Sequence, residues 1–389
     1  MTASHPTSTR PTEGEVRAWG WVAHLRAGGT VAWSDWSGVG DSRGRYLPGA
    51  QQLELLRRLN AAGHPDPVLA ESVLTASAAG RGRPDLELVG AAAESRFGPA
   101  PVDPSDLPPG ELVRVAASVL ADQVVAVGEP APAESRTPRL WRRGYRLVGD
   151  PELADPLRDQ LVARGRPPGG RRQRVVVVGA DLATMAAHAW LHRAFTEGAP
   201  VWRDWLALLQ DRREVPGRVD LLGMARTWEA RLGHEAVHVV LDPAAVAGLV
   251  GDRRLTWPAT LPGEAGELAR RVGSVLGLLV LPETRATLLS TRLRPRVAAV
   301  AAAVPGAGPL VVPMERREWL ERAAEKMRRG IKSAGYAVHG DLGDLVPQWA
   351  GLPDLPDDPD ETGGPSPDAT LDLAVRVLLD GTRETEVER

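Results

Sequence analysis

Four consecutive valines followed at once by a glycine constrain this chain more than any other phrase in it. The run RVVVVGADLATMAAHAW (174–190) reads as a strand, a turn at Gly179 and a helix. Ligand-binding α/β units often begin in this way. The rest of the second half alternates in the same manner. Helices are predicted at 181–195, at 201–210 and running into 224–233, with a strand at AVHVVLD (236–242). Further helices are predicted through 267–277, within 283–302 and over 319–335. Such alternation predicts a mostly parallel sheet with helices on its faces. The expected fold is α/β, a three-layer parallel-sheet module preceded by a mostly helical N-terminal region.

Four regions are predicted. Residues 1–15 are polar and proline-bearing and read as disordered. Residues 16–165 are rich in Trp and Gly, with helices at 49–63, 66–80 and 108–127. Within this region EPAPAESRTPR (129–139) reads as an exposed linker, and WRRGYRLVGD (141–150) as either a strand or a docking segment. Residues 166–350 form the α/β module, entered through the basic loop RGRPPGGRRQR (164–174), which reads as a solvated face. Residues 351–389 hold 11 acidic and 3 basic side chains, with one amphipathic island at 369–381 that would dock as a helix.

Composition narrows the function classes. The net charge of −3 gives no cationic field for nucleic acid. Of the 47 basic residues only Lys326 and Lys332 are lysines. The chain has no cysteine, which excludes disulfides, thiolate metal sites and a thiol nucleophile. Neither an apolar leader nor a stretch of about 20 apolar residues is present, so the expected setting is cytoplasmic and away from membranes.

An ordered series of phrases in 174–347 carries a family resemblance. Asp181, Leu182 and Ala183 lead to Trp190, and GAPVWRDWL (198–206) comes next. Trp228, Leu232 and Gly233 precede the strand VHVV (237–240), and GYAVHGDLGDLVP (335–347) closes the series. In these phrases the chain resembles an actinobacterial sulfotransferase-like family. The resemblance implies a nucleoside-kinase-like α/β fold and sulfuryl transfer from phosphoadenosine phosphosulfate. It covers under half of the chain, and the N-terminal region is unrecognised.

The departures fall on the chemistry. The family holds its donor in a glycine/lysine/threonine loop, and no such phrase occurs here; HLRAGGTVAW (24–33) is the nearest and has no lysine. The arginine that the family places before its D-L-A phrase is Ala180 here, and the family's downstream serine falls near His188. A multiply charged nucleotide needs fixed donors and positive charge at its phosphates. Three readings are open. The first is a degenerate sulfotransferase-like protein, non-catalytic and without cofactor, acting through a protein partner or as a homo-oligomer. The second is an active transferase using phosphoadenosine phosphosulfate. Its site would be rebuilt from Gly179, Asp181, Arg26 and Arg174, with His188 as the base. The third is a nucleic-acid-binding adaptor, which the acidic net charge disfavours.

Other clusters have plainer readings. His188 and His192 lie four apart on one helix, with Asp181 as a conceivable third ligand, but no H-E-x-x-H phrase supports them and no metal site is predicted. His24, Arg26 and Asp35 sit among Trp19, Trp21, Trp33 and Trp36, either as an aromatic pocket or as core anchors of a small unit. His238 reads as a sheet histidine, and Asp341 and Asp344 as loop braces.

Overall fold

The structure is a computed structural model and describes residues 12–40, 46–76, 85–91, 100–130, 143–349 and 364–387. Before the sheet come α1 (Glu13–Arg26), α2 (Ala50–Ala62), α3 (Pro67–Thr75) and α4 (Pro109–Val127). Between strands run α5 (Pro151–Ala163), α6 (Leu182–Ala194), α7 (Trp202–Arg212) and α8 (Leu221–Leu232). Beyond them are α9 (Pro243–Val250), α10 (Gly263–Leu279), α11 (Pro282–Leu288) and α12 (Arg294–Ala301), and finally α13 (Met314–Ala334) and α14 (Pro367–Val387). Four strands, β1 (Arg143–Gly149), β2 (Arg171–Val178), β3 (Val237–Val240) and β4 (Ala337–His339), form one parallel sheet in the order β1-β2-β3-β4. The fold is therefore mixed α/β, a small parallel sheet surrounded mostly by helices.

Two units are distinguishable. A helical unit comprises residues 1–129, 271–306 and 366–389, and an α/β unit comprises 130–270 and 307–365. The boundary expected at residue 165 falls inside the α/β unit, because β1 pairs along β2 and α5 packs with both strands in one apolar cluster. The segment at 141–150 thus contains the first strand, and the closing phrase at 335–347 contains the last. The expected disorder of 1–15 does not hold for residues 12–15. Thr12 and Glu15 form a reciprocal capping box that starts α1. Residues 1–11, most of the linker at 129–139 and the flank at 351–363 lie outside the described residues.

In the α/β unit, the residues of β2 divide by parity, as strand geometry requires. Val175 and Val177 join a cluster built with α6, α7, α8 and α13, centred on buried Trp190, Trp202 and Trp205. Val176 and Val178 join a second cluster with Leu147, α5 and α9. Burial on both sides explains why β2 is an unbroken valine run rather than an alternating one.

The helical unit packs α14 on α4, α2 and α12. Its tryptophans are anchors: Trp21 donates to Val31 O, Trp33 to Val89 O and Trp36 to Arg17 O, at 2.9–3.1 Å. Arg17 closes the cluster, lying 3.9 Å over the Trp33 ring and donating to Trp33 O and Trp36 O. Gly20 and Gly40 serve close packing: a Cβ on Gly40 would lie 2.6 Å from Gly20 Cα. No helix among the described residues is long and apolar enough to cross a membrane.

Candidate functional site

Every strand of the sheet runs into an aspartate that caps the adjoining helix or turn. Asp150 follows β1 and accepts from Glu152 N at 2.9 Å; Asp181 comes after β2 and accepts from Ala183 N and Thr184 N at 3.0 and 2.9 Å. Asp242 comes after β3 and accepts from Ala244 N at 2.9 Å, and Asp341 comes after β4 and accepts from Gly343 N at 2.8 Å. The first-turn N–H groups are what an α/β protein usually offers to a phosphate at this edge of its sheet. Here each set already holds one of the chain's own carboxylates. The edge is thereby acidic as well as occupied.

The crevice between the ends of β1 and β2 is closed by an ion pair. After β1 the chain enters α5, which packs with Val176 and Val178; after β2 it enters α6, which packs with Val175 and Val177. The two helices diverge to opposite faces, and His188 of α6 meets Asp150 where they part. Its Nδ1 lies 2.7 Å from Asp150 Oδ2, with the two residues 2% and 0% exposed. Burial by itself would push the imidazole below its ordinary value. The hydrogen bond and charge of Asp150, supported by the charges of Glu152 and Asp181, outweigh burial, and the net shift is upward. A raised pKa favours the imidazolium, which is a poor general base near neutrality. Its Nε2 is buried and has no partner among the described residues.

This pair makes a pH prediction. The folded-state pKa of His188 lies above the unfolded value of about 6.5. Its contribution to stability is therefore complete below about pH 6.5 and is lost as pH rises through the folded pKa. The stability difference between the wild type and His188→Gln should shrink as pH rises above about 6.5 in urea titrations. A difference that stays constant or grows over that range would exclude a charged His188.

The remaining residues expected at a site are dispersed. Gly179 leaves the end of β2, where a Cβ would lie 2.4 Å from Leu221 Cδ1, so its small size serves packing. Asp181 is the cap of α6. Arg174 sits in the amino-terminal half of β2, about 13 Å along the strand from Val178. Its Nη1 donates to Leu249 O in α9 at 3.5 Å. It is therefore not at the carboxyl edge with His188. Arg26 belongs to the helical unit and pairs with Glu71 at 2.9 Å on an exposed surface. His238 is half-buried on β3, 3.2 Å from His339 Nε2, and its pKa is lowered, first by burial and then by the charges of His339 and Arg174. No three His, Asp or Glu side chains among the described residues gather as a metal site requires.

Beside α6 lies a cavity of about 650 Å³ within the α/β unit. Asp181, Thr184, Ala187, His188 and Leu191 form one wall; Thr260, Leu261 and residues 309–312, 343–344 and 346–349 complete it. Among the described residues that line it there is no lysine or arginine. The pairing of Asp150 with His188 and this cavity are the two features that local sequence patterns do not reach. A local signal for Asp150 exists in the phrase Gly149-Asp150-Pro151, an N-cap followed by proline in the first helical turn. Comparison with protein-family profiles, with curated proteins and with solved structures gives no match to this chain.

Proposed function

We propose that this is a degenerate sulfotransferase-like protein, in which a three-layer α/β unit no longer transfers sulfuryl groups and the chain acts by binding a protein partner. The observation that carries the reading is the set of aspartate caps at all four strand ends. A nucleotide donor would have to displace a buried ion pair at Asp150 and seat its phosphates among carboxylates. The lack of basic residues around the neighbouring cavity supports the same reading. In this proposal no nucleotide cofactor is used and the setting is cytoplasmic.

A surface on the helical unit supports the binding role. Val68, Ser118, Val119, Val275 and Leu279 line a groove of about 620 Å³ between α3, α4 and the end of α10. Leu278 and Leu281, beside Leu279 in the chain, are 74% and 71% exposed. Apolar side chains left in water around a groove mark contact surfaces more often than isolated ones do.

One observation favours the active reading instead. A buried Asp–His pair with an unpartnered Nε2 has the form of an oriented acid–base group. The two readings separate in a transfer assay with phosphoadenosine phosphosulfate and a panel of phenols, alcohols and amines. The expected outcome is no sulfated product above the protein-free rate. Product formation that His188→Gln abolishes would replace the proposal with the active reading.

A further inference from the structure

We propose that the cavity beside α6 is a binding site for a small, largely apolar molecule that carries a protonated amine. Its size, about 650 Å³, falls within the usual range for small-molecule sites. Ala187, Leu191, Leu261, Leu310, Val312 and Trp349 supply an apolar body. Charge is confined to a few groups of known bonding. Asp181 spends Oδ1 on two backbone N–H groups, and its Oδ2 accepts nothing from the described residues. Asp344 is exposed, and its carboxylate makes no hydrogen bond or ion pair with a described residue. His188 shares this wall, 2% exposed and with Nε2 unpartnered, but its charge is matched by Asp150 at 2.7 Å. Arg317 is not among the lining residues; its guanidinium lies 5.1 Å from the Trp349 ring and donates to Val312 O.

The sum is an apolar chamber with two carboxylates, Asp181 and Asp344, that make no ion pair with a described residue. A neutral occupant would strip water from Asp181 and Asp344 and return nothing, which is costly for a charge. An anion would meet direct repulsion. A primary ammonium brings three donors and the opposite charge, and its apolar remainder fits the walls. This inference does not depend on the donor reading or on the partner surface, and it survives the failure of either.

The test uses the full chain with two probes of equal shape and opposite charge, tryptamine and indole-3-propionate, in calorimetric titration and thermal shift. Tryptamine should bind at least about tenfold more tightly than indole-3-propionate. Asp344→Asn, which breaks no bond in the fold, should weaken tryptamine about fivefold. Ala187→Leu, which fills the cavity from α6, should abolish binding of tryptamine while the variant remains folded. The proposal is overturned if both probes bind alike, if tryptamine gives neither heat nor thermal shift at millimolar concentration, or if Asp344→Asn leaves its affinity unchanged.

Discussion

Asp150→Ala is expected to destabilise the α/β unit by about 3–5 kcal/mol, the largest cost of any polar substitution in it. Two losses combine. The substitution removes the partner of a fully buried imidazolium, and it removes the cap on the first turn of α5. Deprotonation of His188 limits the first loss, because the ring can escape its charge where a lysine or arginine could not. Asp150→Asn should cost less, since its amide oxygen can still cap the helix. The double variant Asp150→Ala, His188→Ala should fall well short of the sum of its parts, because neither single change then leaves an uncompensated group. Hydrogen exchange at the Val175–Val178 amides reads the stability of this unit directly. A loss below about 1 kcal/mol would show that the pair is not a brace.

Gly149→Ala is expected to prevent the α/β unit from folding at ordinary temperatures. Gly149 has φ +111°, and a Cβ there would lie 2.1 Å from Val178 O and 2.8 Å from Val178 N. Both atoms are backbone of the neighbouring strand, so relief requires β1 to move away from β2. The conformational strain alone costs about 1–3 kcal/mol, and the collision adds to it. Gly165 provides the control. It also has a positive φ, +72°, but a Cβ there meets nothing within 4 Å. Gly165→Ala should therefore cost only about 1–2 kcal/mol. Circular dichroism melts of the two variants measure the contrast, and equal effects would mean that the close approach of the strands is relieved cheaply.

Local pattern explains which parts of the fold are legible in the sequence. The unbroken valine run of β2 and the leucine spacing of α2 are strong local signals, and both elements lie where those signals predict. β1 carries little: its phrase RGYRLVG mixes two arginines and two glycines with Tyr145, Leu147 and Val148, and its pairing with β2 decides its state. β4 is three residues long, too short for any period to show. The helix α1 is obscured by Gly20 and by tryptophans on several sides, although the Thr12/Glu15 capping box is a usable signal. At the site, His188 and Asp181 are legible because they come directly after the strand that defines the sheet's carboxyl edge. Asp150 lies 38 residues earlier, and nothing local connects it to His188. Arg174 has the right residue type for a phosphate contact but the wrong place: at about 3.3 Å per residue it cannot reach the edge beyond Val178.

The measurement that bears most directly on the proposed loss of a donor site is calorimetric titration of the full chain with adenosine 3′,5′-bisphosphate, the nucleotide product of sulfuryl transfer. Capped strand ends and an acidic edge predict no binding heat at ligand concentrations up to about 1 mM. Stoichiometric binding with a Kd in the micromolar range would contradict a lost donor site and show that the chain holds the nucleotide of such a donor.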